Sequence, residues 1–235
     1  MKQNMTEEQF ARNEICRIGK SLFERSYVHA TAGNISVRLK DGFLITPTDA
    51  CLGFLESDQL AKIGLQGQQV SGDRASKTMA LHAAIYQATE QFDADISCII
   101  HTHSTNCVAL TLQDQYMQDG SDAHDDRELL PPITPYFVMK VGHVPVIPYA
   151  RPGDIAVLDP VKNAITQYGH QNKSIRAVML SRLGPYVWNN SPSAAMATLE
   201  ELEESAKLWQ MKQGSVAPLT EEQISELRAA FAVRW

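Results

Sequence analysis

Apolar residues recur every three to four positions over residues 6–26, at Phe10, Ile15, Ile18, Leu22 and Phe23, a spacing that predicts a helix. The period then shortens to two. Ile35, Val37 and Leu39 alternate after the small-residue loop HATAGN, and FLITP follows a turn at Asp41-Gly42, which predicts a β-hairpin. A polar loop, GDRASK, leads into a second amphipathic helix with Leu81, Ala84, Ile85 and Ala88 on its buried side. ISCIIHTHS, residues 96–104, reads as a buried strand, and STNCVALTL as the helix after it. Prolines and β-branched residues fill 129–154 and predict short strands and turns, with one more short strand at AVML, 177–180. A long helix carries Met196, Leu199, Leu202, Ala206 and Trp209 as its apolar stripe, with Ser193 as the expected N-cap. A last helix is predicted over 220–232, opened by Thr220 with Glu221 and Glu222. Alternating helices and strands with at least one antiparallel pair predict an α/β fold in layers around a mixed central sheet.

Composition narrows the function classes. The 235 residues are 44% hydrophobic and 20% charged, and no linker-like stretch interrupts them, so 1–235 is expected to form a single domain. A net charge of −6 without a basic stripe argues against nucleic acid as a partner. Cys16, Cys51, Cys98 and Cys107 have no CxxC spacing, which fits a reduced, cytoplasmic chain. The charged N-terminal stretch lacks the apolar core of a signal peptide, and no run is long enough to span a bilayer.

The chemistry concentrates at HTHS. Successive strand side chains point to opposite faces, so His101 and His103 point the same way and form a candidate metal-ligating pair. A catalytic zinc site wants about three protein ligands and an open position. The pair alone is one ligand short.

The segments TAGNIS, ITPTD, SGDRASK, HTHS and TPYFVMKVGHVPVIPYARPGD resemble the class II aldolase/adducin family in order and spacing, over nearly the whole chain. Within that family, CLG at 51–53, SGD-x-x-SK at 71–77, the TPY…RPGD block and ELEESAKL are most similar to its 3-oxo-tetronate 4-phosphate decarboxylases. The resemblance implies a three-layer α/β/α class II aldolase-like fold and a homotetramer. It also implies a divalent metal, zinc first with manganese or iron as alternatives, and a phosphorylated keto sugar or sugar acid. The family's metal stabilises the enediolate left when a carbon–carbon bond breaks.

Carried over residue by residue, the resemblance places metal ligation at His101 and His103. It gives Gly33, Asn34, Thr48 and Ser76 to the phosphate, and leaves Lys77, at a helix entrance that favours anions, and Thr78 after it as the candidate catalytic residues. Tyr136, Tyr149 and Arg151 fall in the decarboxylase-like block as candidate substrate contacts, reaching a neighbouring subunit's site in a tetramer; Ala150 stands there where an aromatic is usual. Three positions depart from the pattern. Thr78 stands at the acid–base glutamate, Leu183 at the third histidine ligand (with Arg182 at the preceding asparagine), and Asp49 at a small glycine of the phosphate turn. A threonine hydroxyl is no general base near neutral pH, and leucine ligates nothing. Asp49 either faces the site and repels a dianion or turns outward. His143, His170, His124 and His29 are the histidines that could replace the missing ligand, while His82 is expected to be structural and Glu200, Glu201, Glu203 and Glu204 a solvated helix face.

Two functions follow. One is a metal-dependent lyase, decarboxylase or aldolase-like, acting on a small and possibly phosphorylated sugar acid or keto sugar through a diverged site. The other is a non-catalytic or repurposed member, serving binding or assembly, or a metal-dependent reaction of another class such as oxygenation.

Overall fold

The computed structural model describes residues 5–113, 127–173 and 175–235. Its strands are β1 (Asn34–Leu39), β2 (Gly42–Ile45), β3 (Ala61–Gly64), β4 (Gln69–Ser71), β5 (Cys98–His101), β6 (Val146–Ile147), β7 (Ala177–Leu180) and β8 (Gly184–Asn189). They form one sheet in the order β4-β3-β2-β1-β5-β8-β7-β6. Every neighbouring pair is antiparallel except β6 with β7, so the sheet is mixed, as the hairpin pattern predicts.

The helices are α1 (Glu7–Glu24), α2 (Met79–Thr89), α3 (Thr105–Leu110), α4 (Leu158–His170), α5 (Pro192–Met211) and α6 (Glu221–Phe231). The period-two alternation of the strands divides the core. Cys98 and Ile100 of β5 join Ile35, Val37, Met179 and Val187 beneath α1, α3 and α5. Ile99, Val178 and Trp188 point the other way, into the core under α2 and α4. The result is a three-layer α/β/α arrangement, and His101, two residues after Ile99, belongs to the α2/α4 face.

Helix ends follow local chemistry. Thr6 and Gln9 close a capping box at α1, and Thr220 and Gln223 close another at α6. Along α1 the buried stripe is Ala11, Ile15, Ile18 and Leu22, whereas Phe10, expected on it, is 54% exposed. The stripe needs Ala11 at this turn, and the adjacent position rotates away by about 100°. At α5 the cap is Ser191, not Ser193. The Ser191 hydroxyl accepts from the Ala194 N–H at 3.2 Å, and Pro192 takes the first helical position, where its missing N–H costs nothing.

The glutamates of α5 are not a uniform solvated face. Glu203 is buried, and its carboxylate accepts the backbone N–H groups of Asn106 (2.9 Å) and Cys107 (3.0 Å) in the first turn of α3. A carboxylate on otherwise unpaired first-turn donors is a charge-assisted anchor, and it holds the helix that leaves the HTHS loop. Glu201 is half-buried and takes a hydrogen bond from Thr134, while Glu200 pairs with Arg25.

Four elements go beyond the pattern read from the sequence. In α4, Val161, Ala164, Ile165 and Tyr168 are buried at helical spacing, but Pro160 reads as a breaker; it lies in the first turn, where a proline is tolerated. β8 runs apolar on both faces and lacks the alternation of a half-exposed strand. β3 and β4 are short and finish the sheet at one edge. Within 129–154 only Val146–Ile147 is a strand, because Phe137–Val141 coils into a π-helical turn started by the Phe137 N–H donating to the Thr134 hydroxyl at 3.0 Å.

Candidate active site

The site lies where β5 ends between β1 and β8. Two glycines allow that approach. A Cβ on Gly33 (φ +89°) would stand 2.8 Å from the His101 carbonyl oxygen, and one on Gly184 (φ +141°) 2.0 Å from that of Thr102. Register then sets Asn34 and Tyr186 on either side of His101.

His101 is buried, and its Nδ1 lies 2.9 Å from the Pro185 carbonyl oxygen. A carbonyl only accepts, so Nδ1 carries the hydrogen and Nε2 keeps a lone pair. Burial, with His103 adding to it, pushes the His101 pKa down to about 3, so the ring stays neutral. The rings of His101 and His103 are 5.0 Å apart, although β5 ends at His101 and His103 lies in the loop beyond it rather than on the strand expected to carry both. His103 is partly exposed, and burial followed by the neighbouring His29 lowers its pKa.

The other histidines do not complete a ligand set. His29 comes nearest, its ring 6.4 Å from that of His103 and exposed to solvent. His143 is held by Glu128 at 2.7 Å and stacks on Trp235, and His170 packs against Phe92 at the end of α4. His124 lies outside the described residues. Among the described residues no group of three or more His, Cys, Asp and Glu side chains could hold a metal. The donor set supplies two of the three ligands that the implied zinc requires, and so does not fit that group.

Around the pair opens a cavity of about 320 Å³, the size of a small-molecule site. Gly33, Asn34, Thr48, Ser76, Lys77 and Arg151 all line it. Thr78 and Leu183 line it as well, beside His101 and His103, so the two altered positions face the chemistry. Asp49 also lines it, in a left-handed conformation (φ +59°) that glycine adopts without cost. Asp49 is exposed at the cavity rim. Ala150 is in the wall, whereas Tyr136 and Tyr149 are exposed and outside it.

His82 is structural, as expected. Its Nε2 donates to the Asn34 side-chain oxygen at 2.6 Å, and its Nδ1 accepts from the Ser36 hydroxyl at 2.7 Å. The Asn34 amide N–H group is thereby left free toward the cavity. Burial drives the His82 pKa from its ordinary 6.5 down to about 3. Below pH 6.5 the unfolded chain therefore takes up a proton that the folded chain refuses. Folding stability is full above that pH and falls as pH drops toward 3, by roughly 1.4 kcal/mol per pH unit for this group. Chemical denaturation at pH 7, 6 and 5 should show a shallower slope for His82→Gln than for wild type. Equal slopes would mean that His82 is not held neutral.

Tyr186 is the pocket residue that sequence reasoning missed. Its ring stacks on His101 (centroids 4.0 Å, 13°) and meets the edge of His82 at 5.6 Å. Its place beside His101 comes from the pairing of β5 with β8, a strand whose apolar run carries no alternation to single it out.

Fold and site together define a class. Residues 13–210 match the family described as Class II Aldolase and Adducin N-terminal domain, and the chain belongs to that family. Its similarity is most specific to one group of carbon–carbon lyases. The chain is 48% identical to the 3-oxo-tetronate 4-phosphate decarboxylase of Cupriavidus necator, over 98% of this chain and 100% of that protein. It is 36% identical to the enzyme of the same name from Escherichia coli K12, covering 94% and 97% of the two chains. Among solved structures, YgbL from Escherichia coli, a putative aldolase/epimerase/decarboxylase, superposes with a TM-score of 0.80 at 34% identity, covering 95% of this chain and all of that one. An L-fuculose 1-phosphate aldolase at 22% identity shares the fold with a TM-score of 0.74, over 97% of this chain and all of that one.

Proposed function

We propose that the chain is a carbon–carbon lyase acting on a small phosphorylated sugar acid, with the anion-binding rim of its family kept and the proton- and metal-handling floor rebuilt. The observation that carries this reading is the rim. Gly33, Asn34, Thr48, Ser76 and Lys77 meet in one cavity at the start of α2, where Thr78 spends no side-chain hydrogen bond on capping. Two hydroxyls, the Asn34 amide and a lysine at a helix entrance suit a phosphate. Arg151, held by Asp154 at 3.1 Å, faces the same cavity and suits a carboxylate at the far end of the ligand. Asp49 opposes a dianion, which favours a ligand that carries its second charge away from that turn.

The reading places the protein in the cytoplasm as a homotetramer of one-domain chains. Four free thiols are compatible with that compartment, and no helix among the described residues is long and apolar enough to cross a membrane. In a tetramer the exposed Tyr136 and Tyr149 would be available to a neighbouring site.

A second reading, a non-catalytic binding member, is favoured by Thr78 and Leu183 facing the cavity in place of a base and a ligand. One experiment separates the two. Wild-type protein is mixed with 3-oxo-tetronate 4-phosphate and CO2 release is followed against the spontaneous background of a β-keto acid. Release above background, saturable in substrate, supports the lyase. Saturable binding by calorimetry without added release supports the binding protein, and the lyase reading then falls.

A further inference from the structure

We propose that Tyr186 is the hydrogen-bond donor to the ligand's carbonyl oxygen, in a site that works without a metal ion. The proposal rests on the lyase reading for its chemistry, and on the geometry of the pocket floor for its residue.

Tyr186 is 1% exposed, clamped between the His101 and His82 rings, and still part of the cavity wall. Its phenol carries a proton near neutral pH, as a tyrosine ordinarily does, and so can donate. The Thr78 hydroxyl lies 2.9 Å from the Ser76 hydroxyl. These two hydroxyls at the α2 entrance and the Tyr186 phenol beside His101 all line the one cavity. They occupy the part of the pocket where the resemblance implies a carboxylate base and a third metal ligand, which Thr78 and Leu183 cannot supply.

The reaction class requires little more. In a 3-oxo acid the C1–C2 bond breaks, its electron pair moves to C2 and spreads onto the C3 oxygen, and CO2 leaves. A buried donor aimed at that oxygen stabilises the developing charge, as oxyanion holes containing tyrosine do. The enolate then takes one proton at C2, delivered from solvent along the Thr78 and Ser76 hydroxyls, to leave a phosphorylated hydroxyketone. No oxidant or reductant is needed.

The test is Tyr186→Phe, which keeps the stacked ring and deletes the donor, assayed beside wild type in excess EDTA. Two signals are read: CO2 release from 3-oxo-tetronate 4-phosphate, and calorimetric binding of 4-phosphoerythronate, a phosphorylated four-carbon acid with oxygen at C3. We expect wild-type turnover and binding to survive EDTA. Tyr186→Phe should lower kcat by about 100-fold, the scale of losing one oxyanion donor, with KM changed less and the thermal unfolding midpoint retained. Loss of wild-type turnover and binding in EDTA with recovery on added zinc overturns the proposal. Wild-type kcat and binding in Tyr186→Phe do so as well. If wild type releases no CO2, the lyase reading fails by itself and the binding arm decides. Weaker binding by Tyr186→Phe in EDTA then supports the assignment, whereas equal binding, or none by wild type, overturns it.

Discussion

Thr78→Glu combined with Leu183→His is expected to turn a chain that holds zinc weakly into one that binds it at submicromolar Kd. The pocket already has half of such a site. His101 presents a neutral Nε2 because Nδ1–H is committed to the Pro185 carbonyl, the second-neighbour arrangement that orients metal-bound imidazoles. His103 stands beside it with a ring separation of 5.0 Å. Leu183 and Thr78 line the same cavity, so a third imidazole and a carboxylate would enter the space in front of the pair. With zinc at about a thousand times Kd, binding would stabilise the folded chain by about 4 kcal/mol. For a chain of this size that is a rise in Tm of about 8–16 °C. Wild type should show far less, since two ligands leave the ion mostly in water. Calorimetric zinc titration and thermal unfolding with and without zinc read both quantities. Unchanged affinity would show that position 183 does not reach the pair.

What the sequence made legible followed from what is periodic or adjacent. The hairpin, α1, α2, α5 and the buried strand that ends at His101 each announce themselves by their apolar pattern, and all are present. The His101–His103 pair was legible because the two stand one residue apart in the chain, His101 at the end of β5 and His103 in the loop that leaves it. Tyr186 was not, since it joins them only through pairing of β5 with β8, 85 residues later along the chain by the His101↔Tyr186 register. Glu203 illustrates the same limit. Within its helix it is one of four glutamates, and only the packing of α5 on α3 distinguishes the one that caps Asn106 and Cys107. Short-range pattern specifies elements, and side-chain roles arise where distant elements meet.

That division bears on the altered positions. Thr78, Leu183 and Asp49 could have sat on surface turns, where a substitution carries no message. All three line the cavity, together with Tyr186. Buried polar groups demand partners, and the Ser76 and Thr78 hydroxyls, 2.9 Å apart, supply one to each other. The altered positions therefore belong to one hydroxyl-lined floor rather than to scattered surface turns.

The framework under that floor tolerates no side chain at Gly184, and Gly184→Ala is expected to be the most destabilising single change at the site. The added Cβ would lie 2.0 Å from the Thr102 carbonyl oxygen, a backbone atom that cannot swing aside. β8 would have to part from β5 or rotate its peptide. Either movement breaks the bonds that the Pro185 carbonyl accepts, from His101 Nδ1 at 2.9 Å and from the Thr102 N–H at 3.3 Å. The combined clash, strain and lost pairing should cost roughly 3 kcal/mol or more. Gly67→Ala is the control, because Gly67 also has a positive φ (+82°) but open space where its Cβ would go. It should carry only the conformational cost of about 1–2 kcal/mol. Urea denaturation of the two variants beside wild type gives the comparison, and equal losses would refute the steric argument. Losing the Pro185 acceptor would also free His101 to change tautomer, so Gly184→Ala should weaken binding of 4-phosphoerythronate even in the fraction that folds, while Gly67→Ala leaves it intact.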